Sequence, residues 1–263
     1  MNNIKTHTNN ISISMSTGRL LRAYIIESKY AFLSTIKMPV MPITMMALPV
    51  FLYILFSFTM VSNLAQENPT VAVSFFSGFL IFAVTGPGLF GFGTGLAIER
   101  QSGILNLKRA QPMPPGSCLI AKMITAVVCT GLTMAFLILA ATIFGHLNMT
   151  AVQIVNIVLI SMLGVLPFCA IGFFIGTLVS GTASIGVVNL IFFPMLYLSG
   201  MFFPLPKIME EWAWIWPTFH INQIIKNAMG VESQIAIWIC VLTLVGITVF
   251  FTYLAARRFA LRG

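Results

Sequence analysis

Six runs of apolar residues, at about 38–61, 71–98, 118–144, 151–179, 183–203 and 234–256, dominate the chain, and apart from Lys122 near the start of the third they contain no Asp, Glu, Lys or Arg. A helix needs about 20 apolar residues to cross the hydrocarbon core of a bilayer. Only 8% of the residues are charged and 58% are hydrophobic, against roughly 25% charged in ordinary soluble domains. A chain of 263 residues with so little polar surface has lipid as its natural solvent. The expected fold class is all-α: an integral membrane bundle of six transmembrane helices, with no room for a separate soluble domain.

The segments between the spans carry the remaining information. Residues 1–17 are polar and read as a disordered cytoplasmic tail. Residues 18–258 form one transmembrane domain, and 259–263 a second cytoplasmic tail. From Gly18 to Lys37, at about 100° per residue, Leu20, Leu21, Tyr24, Ile25, Ala31, Phe32 and Ile36 fall on one half of a helix wheel. Arg19, Arg22, Glu27, Lys29 and Lys37 fall on the other half, with Ile26, Tyr30 and Leu33 as exceptions. This pattern fits an amphipathic helix in the membrane interface, with Arg19, Arg22, Lys29 and Lys37 facing headgroups, or a helix packed on its own bundle. Pro39, Pro42 and Pro49 make the start of the first span irregular. Residues 86–95, GPGLFGFGTG, contain a literal G-x-G-x-x-G. They sit inside an apolar run with no preceding strand, so a kinked helix with a small-residue packing face is expected, not a dinucleotide site. Gly172 and Gly176 lie in the fourth span, with Pro167 before them.

Charge orients the chain. With both ends inside, twelve of the fourteen Lys and Arg residues fall on the cytoplasmic side, and only Lys207 and Lys226 fall outside. Four of the six acids, Glu67, Glu210, Glu211 and Glu232, also fall outside. This is the positive-inside pattern, and it accounts for the net charge of +8 without nucleic acid as a partner. The four cysteines lie in apolar runs with no C-x-x-C pair, as small buried hydrophobes do. A cleavable signal peptide is not expected, because the first apolar run begins near residue 38.

Spans without ionisable residues lack the relays that ion-coupled carriers use. No H-E-x-x-H or G-x-S-x-G appears, so no catalytic or metal residues are expected. His146 and His220 read as solvated or capping histidines at the outer boundary. No G-x-x-x-x-G-K-[ST] occurs in the sequence, so ATP hydrolysis by that route must come from another subunit. The loop 99–117, ERQSGILNLKRAQPMPPGS, begins with Glu99-Arg100, continues with Ile104, Leu105, Leu107, Lys108 and Arg109, and stops at Pro112. It fits a short amphipathic helix across the cytoplasmic face, and equally a basic loop that only sets topology. Residues 204–233 carry Trp212, Trp214 and Trp216, the residue type of the membrane–water boundary.

In order along the chain, IKMPVMPITMMALPVFLYILF, AIERQSGILNLKRAQPMPPGSCLIAK, YLSGMFFPLPKIMEEW and WPTFHINQIIKNAMG resemble the membrane (permease) subunits of ABC transporters of the type-2 exporter family, which export drugs, lipids or polysaccharides. The resemblance covers residues 18–258. It implies a non-catalytic permease in a bacterial plasma (inner) membrane, paired with a second copy and with two cytoplasmic ATPase subunits. ATP and Mg would be held by the partner subunits, and no cofactor by this chain. It further implies a coupling helix around Glu99, Arg100, Leu105, Lys108, Arg109 and Pro112, and an outer re-entrant hairpin with Pro204, Trp212, Trp216, Pro217 and His220. Walls rich in Met and Phe, 16 and 23 of them, fit a hydrophobic or amphipathic cargo, and equally fit side chains that only face lipid. The rival readings are an ATP-independent carrier or channel, and a structural scaffold.

Overall fold

The computed structural model describes residues 17–37, 43–61, 69–110, 117–144, 149–200 and 207–262, and every regular element among them is helical. Five helical stretches are long and apolar enough to cross a membrane: Val71–Gln101, Ser117–Phe144, Ala151–Leu178, Gly181–Leu198 and Ile237–Arg258. The first expected span is represented by a shorter apolar helix, Met45–Thr59.

In chain order, α1 is Thr17–Lys37 and α2 is Leu48–Phe56, the latter flanked by π-turns at Ile43–Ala47 and Ser57–Val61. α3, Pro69–Gly86, runs through a π-helical stretch, Pro87–Thr94, into α4, Gly95–Gln101. α5 is the short helix Ile104–Ala110. α6 (Ser117–Phe144), α7 (Ala151–Leu178) and α8 (Gly181–Leu198) follow. α9 (Lys207–Ala213) and α10 (Pro217–Ala228), in the segment read above as the outer hairpin, precede α11 (Ile237–Arg262).

The α3–α4 helix is the centre of the bundle. Phe76, Phe79, Leu80, Ile81, Val84, Leu89 and Leu96 along it are all fully buried. The Tyr53 ring of α2 meets Phe76 and Phe79 edge-on, at centroid distances of 5.6 and 5.7 Å, a favoured aromatic geometry. Pro87 supplies no backbone N–H, and the helix widens there into π geometry instead of breaking. Stretches of this kind are uncommon and concentrate at functional sites. Glycines let α7 approach this widened segment closely. A Cβ on Gly172 would stand 2.6 Å from the Gly88 carbonyl oxygen and 3.0 Å from the Gly93 nitrogen, and one on Gly88 would stand 2.6 Å from Phe168 Cβ. The expected small-residue packing face is therefore present, on a π-helical stretch, and its partner is the fourth span.

α11 lies at the periphery, packed on α7, and exposes Trp238, Leu242, Val245, Val249, Phe250 and Tyr253. That is the pattern of a helix facing lipid, where apolar side chains need no protein cover. α1 packs along α6. Its covered side lies within the apolar half of the wheel. Ser28 is buried, and Leu20, Tyr24, Ala31, Phe32 and Thr35 are partly covered, with Ala23 and Glu27 beside them, while Leu21, Ile25 and Ile36 of the same half, and Ile26 and Tyr30, are exposed, as are Arg19, Arg22, Lys29 and Lys37. The helix therefore packs on its bundle through part of its apolar half, and offers a mixed apolar–basic face to the surroundings.

Candidate coupling face and hairpin

The second span extends further than its charges imply. Glu99 and Arg100 belong to α4 and do not open a loop, because each finds a partner on another helix. Glu99 Oε1 accepts a hydrogen bond from Lys122 Nζ of α6 at 2.9 Å, with side chains only 22% and 16% exposed. Arg100 donates through Nη1 to the Thr177 carbonyl at 2.6 Å and through Nη2 to the Val179 carbonyl at 2.8 Å. Thr177 lies in the last turn of α7, where carbonyls have no intrahelical donor. A cation there also complements the helix dipole.

Gln101 completes the set. Its Oε1 accepts from the Thr182 N–H at 3.3 Å, in the first turn of α8, while the hydroxyl of the N-cap residue Ser180 makes no capping bond. The α7–α8 turn is tight enough that a Cβ on Gly181 would meet Gln101 Oε1 at 2.7 Å and Ile98 Cα at 2.9 Å. Ile98, Gln101, Ser102, Gly181, Thr182 and Ile185 line an open cleft of about 510 Å³ at this end.

Beyond Gln101 the chain turns at Ser102–Gly103, with Gly103 at φ +75°, a conformation glycine adopts without steric cost. Asn106 and Leu107 donate back to the Gly103 carbonyl at 3.0 and 3.3 Å and start α5. Leu105 is 5% exposed and joins the core, whereas Leu107 is 70% exposed and Ile104 also faces out. Lys108 and Arg109 follow on the same helix, and Pro112 lies outside the described residues. The predicted helix is thus split. Glu99 and Arg100 bind inward to the bundle, whereas Gln101, Ser102, Ile104 and Leu107 are exposed.

At the opposite end, α10 is sunk among α3, α7 and α11. Pro217 to Gln223 are all buried, Trp216 is partly buried, and Trp212 is exposed. Pro204 lies outside the described residues, as does His146. His220 corrects the sequence reading, since it is buried and not solvated. Its Nε2 is 2.7 Å from the Trp214 carbonyl, which fixes the proton on Nε2, because a carbonyl can only accept. Nδ1 is buried with no hydrogen-bond partner among the described residues. Burial pushes the imidazole below its ordinary value of 6.5, and the Trp214 bond opposes this only in part.

A histidine held neutral by burial stabilises the fold above the unfolded pKa. As pH falls below 6.5 the unfolded chain takes up a proton that the folded hairpin resists, and stability is lost. The wild-type chain is therefore expected to lose more melting temperature between about pH 8 and pH 5.5 than His220→Gln does. Parallel pH dependences in thermal denaturation would contradict this.

Sequence reasoning missed the polar pins of this hairpin. Asn222 Nδ2 donates to the Ser199 carbonyl at 2.7 Å, and the Ser77 hydroxyl donates to Asn222 Oδ1 at 3.0 Å. Thr218 donates to the Met195 carbonyl at 2.7 Å. Gln223 Oε1 accepts from the Gln234 N–H at 3.0 Å. The available signal was the i, i+4 spacing of Thr218 and Asn222, which puts both on one face of a helix.

Residues 23–229 match the ABC-2 type transporter family. A Bacillus subtilis (strain 168) protein named as a transport permease, YvfS, is 23% identical over 178 residues, spanning 66% of this chain and 72% of that one. The family match runs from α1 through the π-helical centre and the 99–110 segment to the end of α10, so the chain belongs to the ABC-2 type transporter family, as a multi-pass membrane permease subunit.

Proposed function

We propose that this chain is the transmembrane half of an ATP-driven exporter in a bacterial inner membrane, with both termini cytoplasmic. Two copies pair, and two separate cytoplasmic ATPase subunits bind beneath them. These subunits hold ATP and Mg and supply the hydrolysis for which this sequence has no phosphate-binding loop. The observation that carries the reading is α5. It is a short helix anchored by Leu105 and turned out at Gly103, and it exposes Leu107 immediately before Lys108 and Arg109. An apolar side chain beside two cations at a helix-bundle end fits a groove with an acidic rim on a soluble partner. Movement of α5 on nucleotide closure would rock the bundle between two arrangements.

The cargo supported by the uncharged, Met- and Phe-rich spans is hydrophobic or amphipathic: a drug, a lipid or a lipid-linked glycan. The test is ATP-dependent efflux of a lipophilic dye and of a fluorescent phospholipid from proteoliposomes holding the permease and its ATPase. The Lys108→Glu, Arg109→Glu double variant is expected to insert normally and to lose at least about tenfold in ATP-driven efflux, a typical cost for reversed charges at an interface. Normal efflux by that variant would remove α5 from the coupling path.

A further inference from the structure

We infer that Glu99, Arg100 and Gln101 form a three-way clasp that passes the movement of α5 to α6, α7 and α8 together. The inference rests on the exporter reading above and adds what happens inside the permease once α5 is displaced.

Three consecutive residues at the end of one helix reach three different helices. Glu99 holds Lys122 of α6 at 2.9 Å. Arg100 closes the end of α7 through the Thr177 and Val179 carbonyls at 2.6 and 2.8 Å. Gln101 takes the Thr182 N–H in the first turn of α8 at 3.3 Å. Each of the three contacts satisfies a charge or an unpaired helix-end group, so each is costly to leave unmade. Directly after the clasp comes the Ser102–Gly103 turn, where Asn106 and Leu107 are tied back to the Gly103 carbonyl. A push on α5 therefore arrives within two residues of the clasp.

The surroundings make this junction stiff along one path and open along another. Gly181 is packed against Ile98 and Gln101 with no room for a Cβ, so the α7–α8 turn cannot slide past α4. The cleft lined by Ile98, Gln101, Ser102, Gly181, Thr182 and Ile185 opens beside it, leaving space between the end of α4 and the start of α8. A second route from α5 into the bundle runs through Leu105, a non-directional apolar contact. The clasp supplies the directional one. These residues act through helices and touch no cargo, so they are positioning residues.

The test uses the intact permease–ATPase complex in liposomes and needs no knowledge of the cargo. Ile185, exposed on α8, is replaced by cysteine in a Cys118→Ser background; the other three cysteines are buried. Its reaction rate with a water-soluble maleimide is measured with and without ATP and vanadate. In the otherwise unaltered complex, nucleotide trapping is expected to change the rate by about fivefold or more, the low end of coupling between linked sites. With Arg100→Gln the ATPase stays bound and hydrolyses ATP at a temperature where the permease is folded, but the change in rate is lost. Arg100→Lys, which keeps the cation, restores part of it.

On the α6 arm, Glu99→Lys loses the response, and pairing it with Lys122→Glu recovers it, which a merely structural role would not require. If Arg100→Gln fails to assemble, Gln101→Ala and Lys122→Gln each remove a single arm and are each expected to weaken the response. An Arg100→Gln complex that responds as the parent does, or single-arm variants that both do, overturns the clasp while leaving the exporter reading standing. A permease that recruits no ATPase overturns the exporter reading and the transmission role with it.

Discussion

Gly172→Val is expected to leave the chain able to enter the membrane but unable to hold its native packing. The new Cβ would stand 2.6 Å from the Gly88 carbonyl oxygen and 3.0 Å from both the Gly93 nitrogen and Phe92 Cβ. Two of those three obstacles are backbone atoms, which cannot rotate aside as a side-chain tip can. α7 must then move off the π-helical segment that forms the buried centre of the bundle. Overpacking a core costs about 1–3 kcal/mol when side chains can adjust, and more when backbones must separate. In lipid there is little hydrophobic gain to draw the helices back together. The variant is expected to run as a broad, aggregated species in detergent, with a strongly lowered melting temperature. Gly246→Val is the matched control, because nothing lies within 4 Å of a Cβ there, and it should behave as wild type. A Gly172→Val protein as monodisperse and as heat-stable as that control would show that the close crossing is dispensable.

The second large effect separates docking from folding. Leu107 is 70% exposed, while Leu105, two residues earlier, is 5% exposed. Leu107→Glu should therefore change stability by no more than about 0.5 kcal/mol, as exposed substitutions do. At the proposed interface the same change would bury a carboxylate against a partner that expects an apolar side chain. A loss of at least about 2 kcal/mol, or near thirtyfold in affinity, is expected for a central interface position. The ATPase subunit should no longer co-purify, although the permease itself remains folded. Leu105→Glu should instead damage the permease itself. Retention of the ATPase by Leu107→Glu would move the docking surface away from α5.

Five of the six apolar runs were legible as helices long enough to span, because hydropathy needs no tertiary knowledge. α6, α7 and α8 fall within a few residues of the runs that length and composition mark out. The glycine-rich stretch at 86–95 was legible as a packing face for a similar reason, since backbone approach needs glycine wherever the partner lies. The end of the second span was not legible. Glu99 and Arg100 look like the start of a solvated loop until it is known that Lys122, 23 residues on, pairs with Glu99 and that the carbonyls of Thr177 and Val179 accept from Arg100. His220 and Asn222 were hidden in the same way. Their burial depends on α10 being sunk among α3, α7 and α11, and helix-wheel patterns carry no record of that. On α1 the wheel separated the faces, and the bundle covers part of the apolar half, Leu20, Tyr24, Ala31 and Phe32, while Leu21, Ile25 and Ile36 stay outward, a division that the wheel alone could not give.

This permease is proposed to work with a separate ATPase seated on α5. The most direct measurement is gentle extraction of the wild-type chain from its native membrane, followed by quantification of whatever co-purifies. A soluble ATPase with a phosphate-binding loop is expected in stoichiometric amount, its ATP hydrolysis lost from the preparation when residues 104–109 are altered. A chain that elutes alone under several mild conditions, with no ATP-dependent activity, would contradict the account and favour an ATP-independent carrier or a scaffold.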